Sequence, residues 1–208
     1  MKYLICFIDD SDFEHDLIRN EIAPFTPALE FLQAYTFDEA KDRIGQAIPS
    51  LFLLDLWGKD ESVRVPYLAS KIEVEERIAQ FPTLDQVYGD LDQFKGDVNN
   101  EFLKRFFSVV ESWRSLFEDL CAQIGQNRKY GLSNLQMVRK HFPAVPAVFY
   151  TRKSLINDAV AMLKAGTDGL FIKPTGANDT KTRLLTREYA PQLASELIQI
   201  IKKKPSPG

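Results

Sequence analysis

Cysteine and histidine are scarce, with two of each in 208 residues. Cys6 falls in an apolar run and Cys121 in a stretch of helical periodicity, so neither a disulfide framework nor a cysteine zinc site is supported. His15 and His141 are far apart and make neither a metal site nor a catalytic triad. Excess positive charge is also missing. A net charge of −3 gives no electrostatic reason to expect nucleic acid or an anionic membrane as partner. Lys202-Lys203-Lys204 reads as a solvated tail after a helix. No stretch approaches the roughly 20 apolar residues that span a bilayer, and Met1-Lys2 leads straight into a short strand rather than a signal peptide. Walker and dinucleotide-binding glycine fingerprints are absent. The expectation is a soluble cytoplasmic protein. Its 45% hydrophobic and 26% charged residues are ordinary for a globular chain, and its length suits one large domain or one domain with an insertion.

What is present is a series of apolar runs near 3–8, 30–35, 51–54, 146–150 and 169–172, separated by helical periodicity. Such alternation implies βαβ units and a parallel sheet. Phe13, Leu17, Ile18 and Ile22 share a helical face that Pro24 ends. Phe37, Ala40 and Ile44 mark a second helix over 37–47. Residues 154–165 form another, with Leu155, Ala159 and Met162 or Leu163 inward and Gly166 as terminator. A last helix is expected from about Ala190 to Ile201, with Pro191 in its first turn.

The runs end in reactive side chains. Asp9 and Asp10 close the first, Asp55 the third, Thr151 the fourth and Lys173 the fifth. In a parallel α/β sheet, side chains leaving the carboxyl ends of neighbouring strands converge at the switch point. Three carboxylates gathered there repel one another unless a cation offsets the charge, and oxygen-only ligands favour magnesium or manganese over zinc.

The middle of the chain is too long for this scheme. A βαβ unit takes roughly 30 or more residues, and the stretch between Asp55 and Thr151 far exceeds that. The surplus, about 59–129, reads as helical. Leu68, Ile72 and Ala79 lie among charges before Phe81-Pro82. Thr83 with Gln86 matches a capping box ahead of Leu84, Val87, Leu91 and Phe94. Over 101–125, Phe102, Phe106, Val109, Trp113, Leu116, Leu120 and Ile124 repeat every three or four residues, widened by Leu103, Phe107, Val110, Phe117 and Cys121. A stripe this broad requires burial against other helices or a partner, and the core reading is preferred.

The ordered set Asp9-Asp10, Asp55, Thr151 and Lys173-Pro174 resembles the receiver domain of two-component response regulators. Its best motif is Ala165-Gly166-Thr167-Asp168-Gly169-Leu170-Phe171-Ile172-Lys173-Pro174, and 131–143 looks like the family's third helix and exit loop. Haloacid-dehalogenase phosphatases use similar residue types in the opposite order. The resemblance implies a flavodoxin-like, doubly wound, five-stranded parallel sheet of order 2-1-3-4-5 over residues 1–58 and 130–204. The helical insertion would occupy 59–129, after strand 3, and a flexible tail 205–208.

The resemblance further implies that Asp55 accepts a phosphoryl group from a sensor histidine kinase, a phosphotransfer protein or a small acyl phosphate. Asp10, Asp55 and the backbone carbonyl of Trp57 would hold Mg2+ or Mn2+, with Asp9 acting directly or through water. Lys173 would pair with the phosphoryl oxygens and the Thr151 hydroxyl would bond one of them. Where the family has an aromatic switch residue, this chain has Leu170; where it has a small residue after the threonine, Arg152; and where it has Met-Pro, Gly58-Lys59. Trp57 is positioned to shield a phosphate from water. A stand-alone receiver without an output domain is expected, one that signals to an unknown downstream protein and is not an enzyme beyond its own phosphorylation and dephosphorylation. The alternatives are a phosphorylation-independent pseudo-receiver and a Mg-dependent phosphohydrolase. The insertion, or the surface of the fourth helix, fifth strand and fifth helix, is where a homodimer would form.

Overall fold

The computed structural model describes residues 2–60, 63–152 and 156–204. The predicted tail 205–208, with Lys153, Ser154 and Leu155, lies outside the described residues. The chain divides into two compact units, Met1–Lys59 with Arg128–Gly208, and Asp60–Asn127.

The first unit is built on five strands, β1 (Tyr3–Ile8), β2 (Leu29–Ala34), β3 (Leu51–Leu54), β4 (Ala147–Thr151) and β5 (Gly169–Ile172). They pair in the order β2-β1-β3-β4-β5, every recorded pairing parallel. This is the flavodoxin-like order expected from the sequence. All residues of β3 and β4 are buried, which explains why these strands read as continuous apolar runs instead of alternating ones. Register then sets the site. Ile8 lies opposite Leu54, and Leu54 opposite Phe149. Asp55 N–H continues the ladder by donating to the Ile8 carbonyl at 2.9 Å, and Lys173 N–H donates to the Thr151 carbonyl at 3.0 Å. Asp9, Asp55, Thr151 and Lys173 therefore leave the same edge of the sheet.

One face of the sheet packs Ile5, Phe7, Leu51, Leu53 and Val148 against Ile18, Ile22, Leu193 and Leu197. Ile18 and Ile22 come from α1 (Asp12–Leu17) and the π-helical turn that prolongs it to Ile22 before Pro24 intervenes. Leu193 and Leu197 belong to α8 (Asp179–Lys203), which begins well before the expected start near Ala190 and carries Pro191 in its interior. Its first turns face the core with Thr182 and Thr186, so no apolar period announces them. Asn178 caps the start by accepting from Lys181 N–H. Pro191 lies on the exposed side of the helix, where solvent access lowers the cost of its missing donor.

The other face is covered by α2 (Phe37–Ile44), α6 (Lys129–His141) and α7 (Ile156–Lys164), which bury Phe37, Ala40, Ile44, Leu135, Val138 and Met162. Met162 is the inward residue of α7 and Leu163 the exposed one. His141 is the last residue of α6, its ring 5.5 Å from that of Phe37. Gly166 follows α7 at φ +84°, a conformation that suits a glycine terminator.

The second unit holds α3 (Lys71–Ile78), α4 (Leu84–Tyr88) and α5 (Val98–Gln123). Both α3 and α4 start with complete capping boxes, Ser70 with Glu73 and Thr83 with Gln86. Asp97 caps α5 through Asn100 N–H. Phe102 meets the ring of Tyr88 at 5.3 Å, Phe81 lies edge-on to Trp113 at 5.3 Å, and Arg105 bonds the Gly89 carbonyl and Asp90. Here the structure departs from the expectation of a buried stripe. Leu116 and Cys121 are buried, whereas Leu103, Phe106, Phe107, Val110, Trp113 and Phe117 remain 38–63% exposed. The reason is length: a helix of 26 residues runs about 39 Å, and partners of 8 and 5 residues cannot cover it. Among the described residues, no helix is long and apolar enough to cross a membrane.

Candidate functional site

The sheet edge gathers the predicted side chains. Asp9, Asp10 and Asp55 each offer an oxygen within 4.8 Å of the others. The Lys173 ammonium, 3% exposed, donates to Asp9 Oδ2 at 2.5 Å and Asp55 Oδ1 at 3.0 Å. Asp9 Oδ1 also accepts from Ser11 N–H at 2.9 Å, and Asp10 Oδ2 from Lys59 N–H at 2.8 Å. The buried Thr151 hydroxyl lies close enough to Asp55 to favour its ionised form, yet finds no partner in hydrogen-bonding geometry among the described residues.

Four residues with no role in the sequence reading, or an open one, complete the surroundings. Glu14 lies in the first turn of α1, and its Oε2 lies 3.5 Å from Lys173 Nζ. Its other oxygen accepts from Arg152 at 2.5 Å. Arg152, which stands where the family has a small residue, is held by Glu14, the Pro174 carbonyl at 2.7 Å and Thr175 Oγ1 at 3.1 Å. Tyr130 borders the pocket, its phenol pushed up by burial and then by Asp9, Asp10 and Asp55. Buried His15 reaches the Asp9 carbonyl through Nε2 and Gln33 Oε1 through Nδ1, each at 2.9 Å.

Four carboxylates, Asp9, Asp10, Glu14 and Asp55, crowd this pocket beside Lys173 and Arg152. Burial, together with Asp55 and Glu14, outweighs Lys173 and pushes Asp9 up to about 7. Asp55 is raised as well, by burial first, despite Lys173 and Thr151. Burial opposes the Lys173 charge, but Asp55, Asp9 and Glu14 overcome it and hold the ammonium protonated. Asp9 and Asp55 thus shift upward chiefly through burial, and Lys173 through the carboxylates around it. Three carboxylate oxygens so close together are the kind of donor set a divalent hard cation takes.

Trp57 is 4% exposed, with its indole N–H directed at Asp158 Oδ2 at 3.3 Å. Asp158 is fully buried on α7, and its other oxygen accepts from Arg128 at 2.8 Å. Periodicity missed it because an acidic residue occupies the inward position of an otherwise apolar helix face. Asp158→Ala should cost about 1–3 kcal/mol by stranding the indole N–H, and Asp158→Asn, which keeps an acceptor, should cost less. Urea denaturation of both variants checks this, and equal stability of the alanine variant and the wild type would dismiss the bond.

Of the known structures, the response regulator domain of Thermotoga maritima CheB is similar with a TM-score of 0.50 at 14% identity, over 97% of this chain and 98% of that one. The chain has the fold of a response-regulator receiver domain. A response regulator from Thermotoga maritima is similar at TM-score 0.49, 11% identity and 97% and 99% coverage. A CheY-like receiver domain protein from Methanospirillum hungatei JF-1 follows at 0.48, 14% and 98% and 99%. No family model and no curated protein matches the chain. In this receiver fold the acidic cluster, Thr151 and Lys173 occupy the carboxyl edge, where ligands of open α/β sheets bind.

Proposed function

We propose that the protein is a phosphoacceptor receiver in which Asp55 takes a phosphoryl group from a phosphohistidine of a sensor kinase or phosphotransfer protein, or from a small acyl phosphate. The observation that carries this reading is the convergence of Asp55 with Lys173 and the two adjoining aspartates at one sheet edge. An Asp55 carboxylate oxygen would attack phosphorus in line. The new O–P bond replaces the P–N bond, whose electron pair stays on the imidazole and takes up a proton. Lys173 would keep Asp55 ionised and then follow the phosphoryl oxygens, while the unpartnered Thr151 hydroxyl would donate to one of them. Asp9, Asp10, Asp55 and the Trp57 carbonyl are the groups proposed to hold Mg2+ or Mn2+. Such an ion would neutralise the developing charge on the transferred group.

Signalling would pass through the α7, β5 and α8 surface when Thr151 shifts toward the phosphate. A phosphorylation-independent module is the second reading. It is favoured by the Glu14 and Arg152 pair, which fixes the residue after Thr151 and adds a third carboxylate to Lys173.

The test is intact mass after incubation with Mg2+ and acetyl phosphate, with Asp55→Asn in parallel. One phosphoryl adduct on the wild type alone is expected. No adduct on either protein would leave the phosphorylation-independent module, and steady phosphate release from a small phosphoester would identify a hydrolase.

A further inference from the structure

The exposed large hydrophobic side chains of this protein concentrate in the insertion and above all on α5. Leu103 (60%), Phe106 (42%), Phe107 (63%), Val110 (47%), Trp113 (50%) and Phe117 (38%) lie along one side of that helix. Their spacings of three and four residues keep them on a single face. With large side chains burying about 150–250 Å2 each, these six offer on the order of 600 Å2 per copy. Two copies would thus remove about 1,200 Å2 from water, the lower bound of a specific interface.

The pattern also selects its partner, because it reads the same in both directions about Val110. Phe107 and Trp113 are each three positions from Val110, and Leu103 and Phe117 each seven. A two-fold axis at Val110 with antiparallel helices sets Phe107 on Trp113, Leu103 on Phe117 and Val110 on itself, the self-complementarity that an isologous dimer requires. Phe106 then faces Arg114, a guanidinium that Glu111 and Glu118 hold within its own helix. Lys104, paired with Glu101, and Glu118, paired with Arg114, lie at opposite ends of one flank, and antiparallel copies bring those unlike ends together. We propose that α5 forms an antiparallel homodimer with a second copy of this chain, centred on Val110. No residue of the sheet-edge site lies on α5, so the inference stands apart from the phosphoacceptor reading.

Sedimentation equilibrium of the full chain, from about 1 to 100 µM, a range spanning weak specific association, is expected to show a monomer–dimer equilibrium. Val110→Arg places two like charges on the axis and should weaken association about a hundredfold or more. Since Val110 is half-exposed, circular dichroism should remain that of the wild type, and melting should match it at concentrations where both are monomeric. Under mild oxidation Val110→Cys should cross-link to itself. Leu103→Cys should not, but should cross-link when mixed with Phe117→Cys. A monomer across the range, a dimer that survives Val110→Arg, or self-cross-linking of Leu103→Cys would overturn the proposal.

Discussion

Replacing Lys173 with methionine should cost the magnesium-free protein about 3–5 kcal/mol at pH 7.5, the penalty for leaving buried carboxylates without their partner. Asp9 and Asp55 are 1% and 6% exposed, and Lys173 is the ammonium that both touch. The loss should shrink toward pH 5. The folded-state pKa of Asp9, about 7, lies above its unfolded value of roughly 3.9. Between these values the folded protein binds more protons than the unfolded chain, so this residue's contribution falls as pH rises through the window. At pH 5, inside this window, folded Asp9 is mostly neutral, and removing Lys173 strands less charge. Mg2+ should recover part of the stability at pH 7.5, and phosphoryl uptake should stay lost. Urea denaturation at pH 5 and 7.5 is the check. An equal loss at both would trace the effect to packing of the lysine stem instead of its charge.

Gly131→Ala should reverse the usual sign of a glycine replacement in a helix. In a helix interior alanine is ordinarily favoured by about 1 kcal/mol. Gly131, however, sits where α6 meets the chain leaving β3, its N–H donating to the Leu56 carbonyl at 3.0 Å. An added Cβ would fall 2.6 Å from Leu56 Cα and 2.7 Å from Leu56 O, and closer still to the Asp55 carbonyl oxygen. These are backbone atoms that cannot swing aside, so a loss of about 1–3 kcal/mol is expected. Moving the Asp55–Leu56 peptide also disturbs Asp55 itself, and phosphoryl uptake should slow by more than the stability loss accounts for. A stabilised variant with normal uptake would refute the close approach.

The sheet and its site were legible because their signals are local. Apolar runs of four to six residues name the strands, and each ends in the residue that the sheet later delivers to one edge. The capping residues of α4 were legible for the same reason, since Thr83 and Gln86 satisfy the helix end through bonds three residues apart. The first half of α8 was hidden because Thr182 and Thr186 face the core where apolar residues would have marked a period.

Sequence alone determined the strand runs, their order of chemical endings and the helical character of the insertion, all set by neighbours along the chain. Tertiary structure alone decided that Glu14 reaches Lys173, that Asp158 holds Trp57, that Gly131 must lack a side chain, and that much of the α5 stripe stays exposed. Each of these depends on groups far apart in sequence, or on how much surface a neighbouring helix can cover, and no local period records either.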